Sequence, residues 1–257
     1  MRTLILLFLI CLAGLLSAQD NKEASARQNN ITITTGYIQL KDKNLNPKIH
    51  SGVVLGVHYN HSEISKILSE FGAGFKVSLL STVYESFPSS PGIQLLANYK
   101  YLFKIIDREK INLYFGPNSD LQFGTNAFFN WDESHLYWAN YLSAGIGSRI
   151  LYKAGKSQVG LSLDIPVFSE ISRPVNNRQY KIDDMTLGGI LKNLSGNLES
   201  AFPDKHFYLK AGVDVNIPTR GRRLYSFGYN FRYHYMKAIE GLPFKSIEHS
   251  LFYRFYF

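Results

Sequence analysis

From Ile31 onward, hydrophobic residues recur at every second position. The clearest run is Tyr225, Phe227, Tyr229, Phe231, Tyr233 and Tyr235, interleaved with Ser226, Gly228, Asn230, Arg232 and His234. Successive residues of an extended chain point to opposite faces, so this run is a strand with one apolar and one polar side. Residues 207–218 repeat it, setting Phe207, Leu209, Ala211, Val213, Val215 and Ile217 against Tyr208, Lys210, Gly212, Asp214 and Asn216, and 158–168 repeat it again. The same period runs through 52–60, 71–84, 92–103, 111–124, 141–153 and 247–257, and less cleanly through 31–40. The expectation is ten strands of about twelve residues, near the roughly 9 to 11 with which a tilted strand crosses a bilayer. Eight or twelve strands stay open, because 31–40 and the stretch 61–70 follow the pattern poorly.

Alternation alone does not say which face meets water. If the apolar faces pointed inward, far more Phe, Tyr and Leu would enter one barrel than a small barrel holds. The other face carries Gly, Ser, Asn and isolated charges, which suits a crowded polar interior. A secreted β-sandwich hiding its apolar faces between two sheets remains the soluble alternative. The connections favour the membrane. Those at 41–51, 85–91, 125–140, 169–206 and 236–246 are together much longer than those at 61–70, 104–110, 154–157 and 219–224, the asymmetry of outer loops against inner turns. The segment 61–70 is long for an inner turn.

The chain ends Leu251-Phe252-Tyr253-Arg254-Phe255-Tyr256-Phe257. This closing strand with its terminal phenylalanine resembles the C-terminal sorting strand of Gram-negative outer-membrane β-barrels. Tyr99, Tyr101, Phe103, Tyr233 and Tyr235 crowd strand ends, as in an interfacial aromatic girdle. The fold class expected is therefore all-β, an antiparallel up-and-down transmembrane barrel located in the bacterial outer membrane.

The N-terminus agrees. Arg2, the apolar run Leu4–Leu16 and the small residues Ser17 and Ala18 have the layout of a cleaved secretory signal peptide, residues 1–18. A lipid anchor is disfavoured because Ile10 precedes Cys11, and the run is short for a helical span. Residues 19–30 then read as a short periplasmic segment and 31–257 as the barrel. Cys11 is the only cysteine, so removing the leader leaves no thiol for a disulfide, a thiolate zinc site or a nucleophile. The 28 Lys and Arg against 20 Asp and Glu give +8, but no basic run concentrates that charge for nucleic acid.

On this architecture the polar face lines the bore. Lys76, Lys100, Arg149, Lys210, Arg232 and Arg254 face Asp120, Asp164, Asp214 and Glu248, either as a salt-bridged filling or as a narrow, anion-preferring passage. A wide pore is excluded by strand number. The connection 125–140 holds both tryptophans, Trp131 and Trp138, with Asp132, Glu133 and His135. They suit membrane anchors, a lid, or contacts to an extracellular ligand. The connection 169–206 is a plug, a recognition element, or a loop that does no more than resist proteases. For catalysis, a hairpin centred near 241–242 would set His234 opposite Glu248 or Ser250, a Ser-His-Glu grouping at the outer rim. His58 and His61 point to opposite faces of one strand, and no metal or cofactor is expected. The partners expected are outer-membrane lipids and a small solute or extracellular ligand. The functions expected are a narrow channel or a surface-binding protein, with a barrel hydrolase as the rival.

Overall fold

The computed structural model describes residues 26–42, 46–82, 90–128, 135–173, 188–189, 198–218, 224–237 and 243–257. The expected leader and Trp131, Asp132 and Glu133 lie outside the described residues. The strands are β1 (Ala26–Asp42), β2 (Asn46–Ile64), β3 (Ile67–Thr82), β4 (Ser90–Asp107), β5 (Ile111–Phe128), β6 (His135–Tyr137), β7 (Asn140–Ala154), β8 (Ser157–Ser172), β9 (Glu199–Ala201), β10 (His206–Pro218), β11 (Leu224–Met236) and β12 (Phe244–Tyr256). Ten of them form a closed antiparallel barrel in the order β1-β2-β3-β4-β5-β7-β8-β10-β11-β12, sealed by β12 against β1. The short β6 pairs with β5 and the short β9 with β8, both at the end of the long connections.

Following hydrogen-bonded neighbours once round the wall from Gln158 leads through Arg254, Thr32, Gln122 and Tyr141 back to β8 at Ile171, not at Gln158. That displacement is the stagger a closed barrel requires, and it tilts every strand.

Two expectations are corrected. Residues 61–70 are not a loop: β2 runs on to Ile64, Ser65 and Lys66 make the turn, and β3 starts at Ile67. Likewise 26–30 belong to β1, with Asn30 opposite Asn60, and are not a separate segment. The turns at this end are short. Arg108 and Ile111 exchange backbone hydrogen bonds of 2.9 and 3.2 Å, and Gly155 turns β7 into β8 with φ +64°, the left-handed conformation that favours glycine. The opposite end carries 83–89, 129–134 and 174–198 and is therefore the extracellular one.

The wall exposes its hydrocarbon. Ile33, Val53, Leu55, Phe75, Ile93, Leu95, Leu161, Phe227 and Leu251 all point outward, while Asn60, Asp120, Gln122, Asp164, Asp214 and Ser250 are buried inside. A continuous apolar girth of this extent is unstable in water and matches a bilayer, which excludes the sandwich.

Candidate functional site: the bore and its outer mouth

The bore has three layers. At the inner end Leu68, Leu102, Tyr114 and Leu151, on the successive strands β3, β4, β5 and β7, form an apolar cluster with Ile64 of β2, while Gln28, Asn30, Gln158, Asn216 and Tyr256 line the other side of the bore around a small cavity. The Tyr114 hydroxyl donates to the carbonyl of Ser65 in the β2–β3 turn at 3.3 Å. All these residues come from the wall.

The middle layer is charged. Every bore charge expected from the sequence faces inward, and most pair across strands that are not neighbours. Lys100 on β4 bonds Asp164 on β8 at 2.7 Å, Arg149 on β7 bonds Asp214 on β10 at 2.8 Å, and Lys210 on β10 bonds Asp120 on β5 at 2.6 Å. Lys76 on β3 pairs with Glu248 on β12. Glycines admit two of these carboxylates. A Cβ on Gly160 would lie 2.6 Å from Asp214 Oδ1, and one on Gly147 2.8 Å from Asp164 Oδ1. Each carboxylate lies over the glycine opposite it and so reaches the cation beyond.

Arg232 donates to Gln122 Oε1 and to the Tyr141 hydroxyl, both at 2.6 Å, and Arg254 to the Thr32 hydroxyl at 3.3 Å. The sequence reading missed Glu70, which it assigned to a connection. Two-residue steps from Lys76 through Gly74 and Gly72 lead to it on the inner face. With Glu70, five carboxylates oppose the six cations, so little net charge remains to select an anion. These groups surround a cavity of about 210 Å³, bordered by His58, Glu70, Arg149 and Arg254 among others.

At the outer mouth the chain folds into the bore. Leu40, Leu80, Phe128, Tyr137, Ala139, Tyr141, Ile171, Ala201, Tyr208, Met236 and Phe244 form one apolar cluster. Trp138 is fully buried beside it, its indole N–H donating to Ser172 Oγ at 3.1 Å. Arg173, directly after β8, pairs with Asp42 at the tip of β1 and donates to the carbonyl of Met236 at 3.3 Å, tying three strand ends together. His135 opens β6, opposite Phe128.

The Ser-His-Glu grouping is not brought together. The β11–β12 hairpin is centred closer to the N-terminus than expected, so His234 lies opposite Ser246, Glu248 opposite Arg232 and Ser250 opposite Asn230. His234 Nε2 instead meets His206 Nε2 at 3.0 Å, and His206 Nδ1 meets Ser169 Oγ at 2.7 Å. A serine beside an imidazole has the elements of a nucleophile and base. Here Ser169 is 0% exposed, so no substrate reaches it and the contact locks the mouth. Among the described residues no group of three His, Cys, Asp or Glu is placed to hold a metal.

A closed barrel with an apolar exterior, a polar interior, short turns at one end and long connections at the other has the fold of the bacterial outer-membrane β-barrels, and the outer membrane is its location. Its solved likenesses are of that class. The outer membrane protease OmpT of Escherichia coli superposes with a TM-score of 0.50 at 7% identity, covering 90% of this chain and 96% of that one. Neisserial surface protein A gives 0.38 at 10% identity over 91% and 100%, and the translocator domain of the autotransporter NalP from Neisseria meningitidis 0.40 at 8% over 96% and 94%. The likeness extends to the fold alone. No protein-family model and no curated protein matches the chain.

Proposed function

We propose that the protein is a non-conducting outer-membrane barrel that acts at the cell surface, binding an extracellular ligand through the connections within 125–140 and 169–206. The observation that carries this reading is the bore, shut at its outer mouth by the buried apolar cluster and filled across its middle by paired charges. Hydrophobic constrictions stop ions by excluding water, so the one at the outer mouth interrupts any wetted path. The bulk of the chain outside the wall lies at the extracellular end, where loops carried by a rigid scaffold bind ligands.

Planar-bilayer recording on barrel whose folding is confirmed by heat-shifted gel mobility tests the first half; silence is expected, and resolved conductance steps would overturn it. For the second half, fluorescently labelled barrel is screened on glycan and peptide arrays beside a variant whose residues 174–198 are replaced by a short Gly-Ser connection. A ligand retained by the wild type and lost by the variant is expected. Identical binding profiles would remove the surface reading.

A further inference from the structure

The outer wall is not apolar all the way round. Nearest the extracellular rim, the outward positions of four adjacent strands form one hydrogen-bonded row: Tyr235 opposite Lys245, Lys245 opposite Lys41, and Lys41 opposite Ile49. Lysines directly opposite on one face repel, and such a pair is destabilising unless something negative covers it. Among the described residues neither lysine has a carboxylate within ion-pair distance; Asp42, adjacent to Lys41, is turned inward to Arg173. The Lys245 ammonium lies 5.9 Å from the Tyr235 ring centre, against the wall at the end of the apolar band.

Polar groups continue within the panel further into the membrane. The next outward row runs Tyr233, Ile247, Gln39 and Ser51, and the row below Phe231, His249, Tyr37 and Val53, with His249 Nδ1 2.5 Å from the Tyr229 hydroxyl. Along the same rows β3 presents Ser81 and then Leu79, with Pro91 of β4 opposite Leu79, and one row deeper these strands carry Val77 and Ile93. Polar side chains facing acyl chains are costly, so a panel of them beneath paired cations fits a lipid whose headgroup is large, hydrogen-bonding and anionic.

We propose that the β11–β12–β1–β2 panel binds a phosphorylated glycolipid of the outer leaflet, with Lys41 and Lys245 on a phosphate and Gln39, Ser51 and Tyr37 toward the sugar and amide groups below it. The site lies on the exterior and stands whether or not the bore conducts. The test is a native mass-spectrometric titration of the folded barrel in neutral detergent with four probes: lipid A, dephosphorylated lipid A, phosphatidylglycerol and inorganic phosphate. Lipid A is expected to bind most tightly. The Lys41→Gln/Lys245→Gln pair should bind it about 30-fold more weakly, at about a factor of five for each surface lysine, and Lys41→Arg/Lys245→Arg about as tightly as wild type. Gel mobility confirms folding of each variant. Equal binding of the dephosphorylated lipid, of phosphatidylglycerol or of free phosphate would overturn the assignment, as would an unchanged affinity in the Gln pair or a wild type that binds none of them.

Discussion

Both ends of the bore carry a hydrocarbon seal, complete at the outer end and one-sided at the inner, and the two are built differently. The inner seal is made by wall residues, Leu68, Leu102, Tyr114 and Leu151, each held by the strand ladder that carries it. The outer seal has wall residues too, Leu40, Leu80, Phe128, Tyr141, Ile171, Tyr208, Met236 and Phe244, but adds chain that leaves the wall and returns: Tyr137 at the end of β6, Trp138 and Ala139 after it, Arg173 after β8, and Ala201 on β9. The inner seal is thus as stable as the barrel, whereas the outer one has contacts that can be removed without opening a ladder. Regions of this second kind open at lower free-energy cost than the global fold.

The contrast breaks most sharply at Arg173. Arg173→Ala strands the buried Asp42 carboxylate, and a loss of about 3–5 kcal/mol is expected in urea unfolding of vesicle-reconstituted barrel. Asp42→Leu combined with Arg173→Met should recover most of it; a single variant as stable as wild type would mean the mouth is not anchored there. Leu102→Ala in the inner seal is expected to cost about 2–5 kcal/mol, through lost burial and the cavity left behind. Leu102→Ala alone should give no conductance, since the outer seal survives it; Trp138→Ala, which loosens the outer seal, is the variant expected to conduct.

Smaller effects are expected where water can substitute. Lys100→Met leaves Asp164 unpaired beside the central cavity, and about 1–3 kcal/mol is expected from the same unfolding measurement. The Arg27–Glu63 pair lies outside both seals, with side chains 75% and 30% exposed. Arg27→Ala should change stability by no more than about 0.5 kcal/mol. A larger shift would show that the strand ends, not the bore, dominate stability.

The sequence made the wall legible because a bilayer demands hydrocarbon at every second residue. That demand ends at the membrane edge while the hydrogen-bond ladder does not. His61, Ser62 and Glu63 therefore carry no apolar signal although they are strand, and Ala26 to Asn30 escaped for the same reason. Faces were readable and registers were not. Sliding β12 along β11 by two residues keeps every side chain on its own face, so the pattern that placed His234, Glu248 and Ser250 in the bore is blind to which of them meet. Arg173 had no signal at all, since its role depends on where an irregular segment lands.

The closure of β12 on β1 also bears on how the molecule assembles. Most of the wall is joined by pairings close in the chain, but Asn30 meets Tyr256 and Asp42 meets Phe244 only when the two ends of the described chain come together. Until then the sheet has two bare edges, each offering unpaired N–H and C=O groups to any neighbouring strand. The seam is accordingly the slowest contact to form, and the last. An unclosed barrel is the species that would add a strand from another chain, so assembly is most exposed to wrong pairing until the two ends meet.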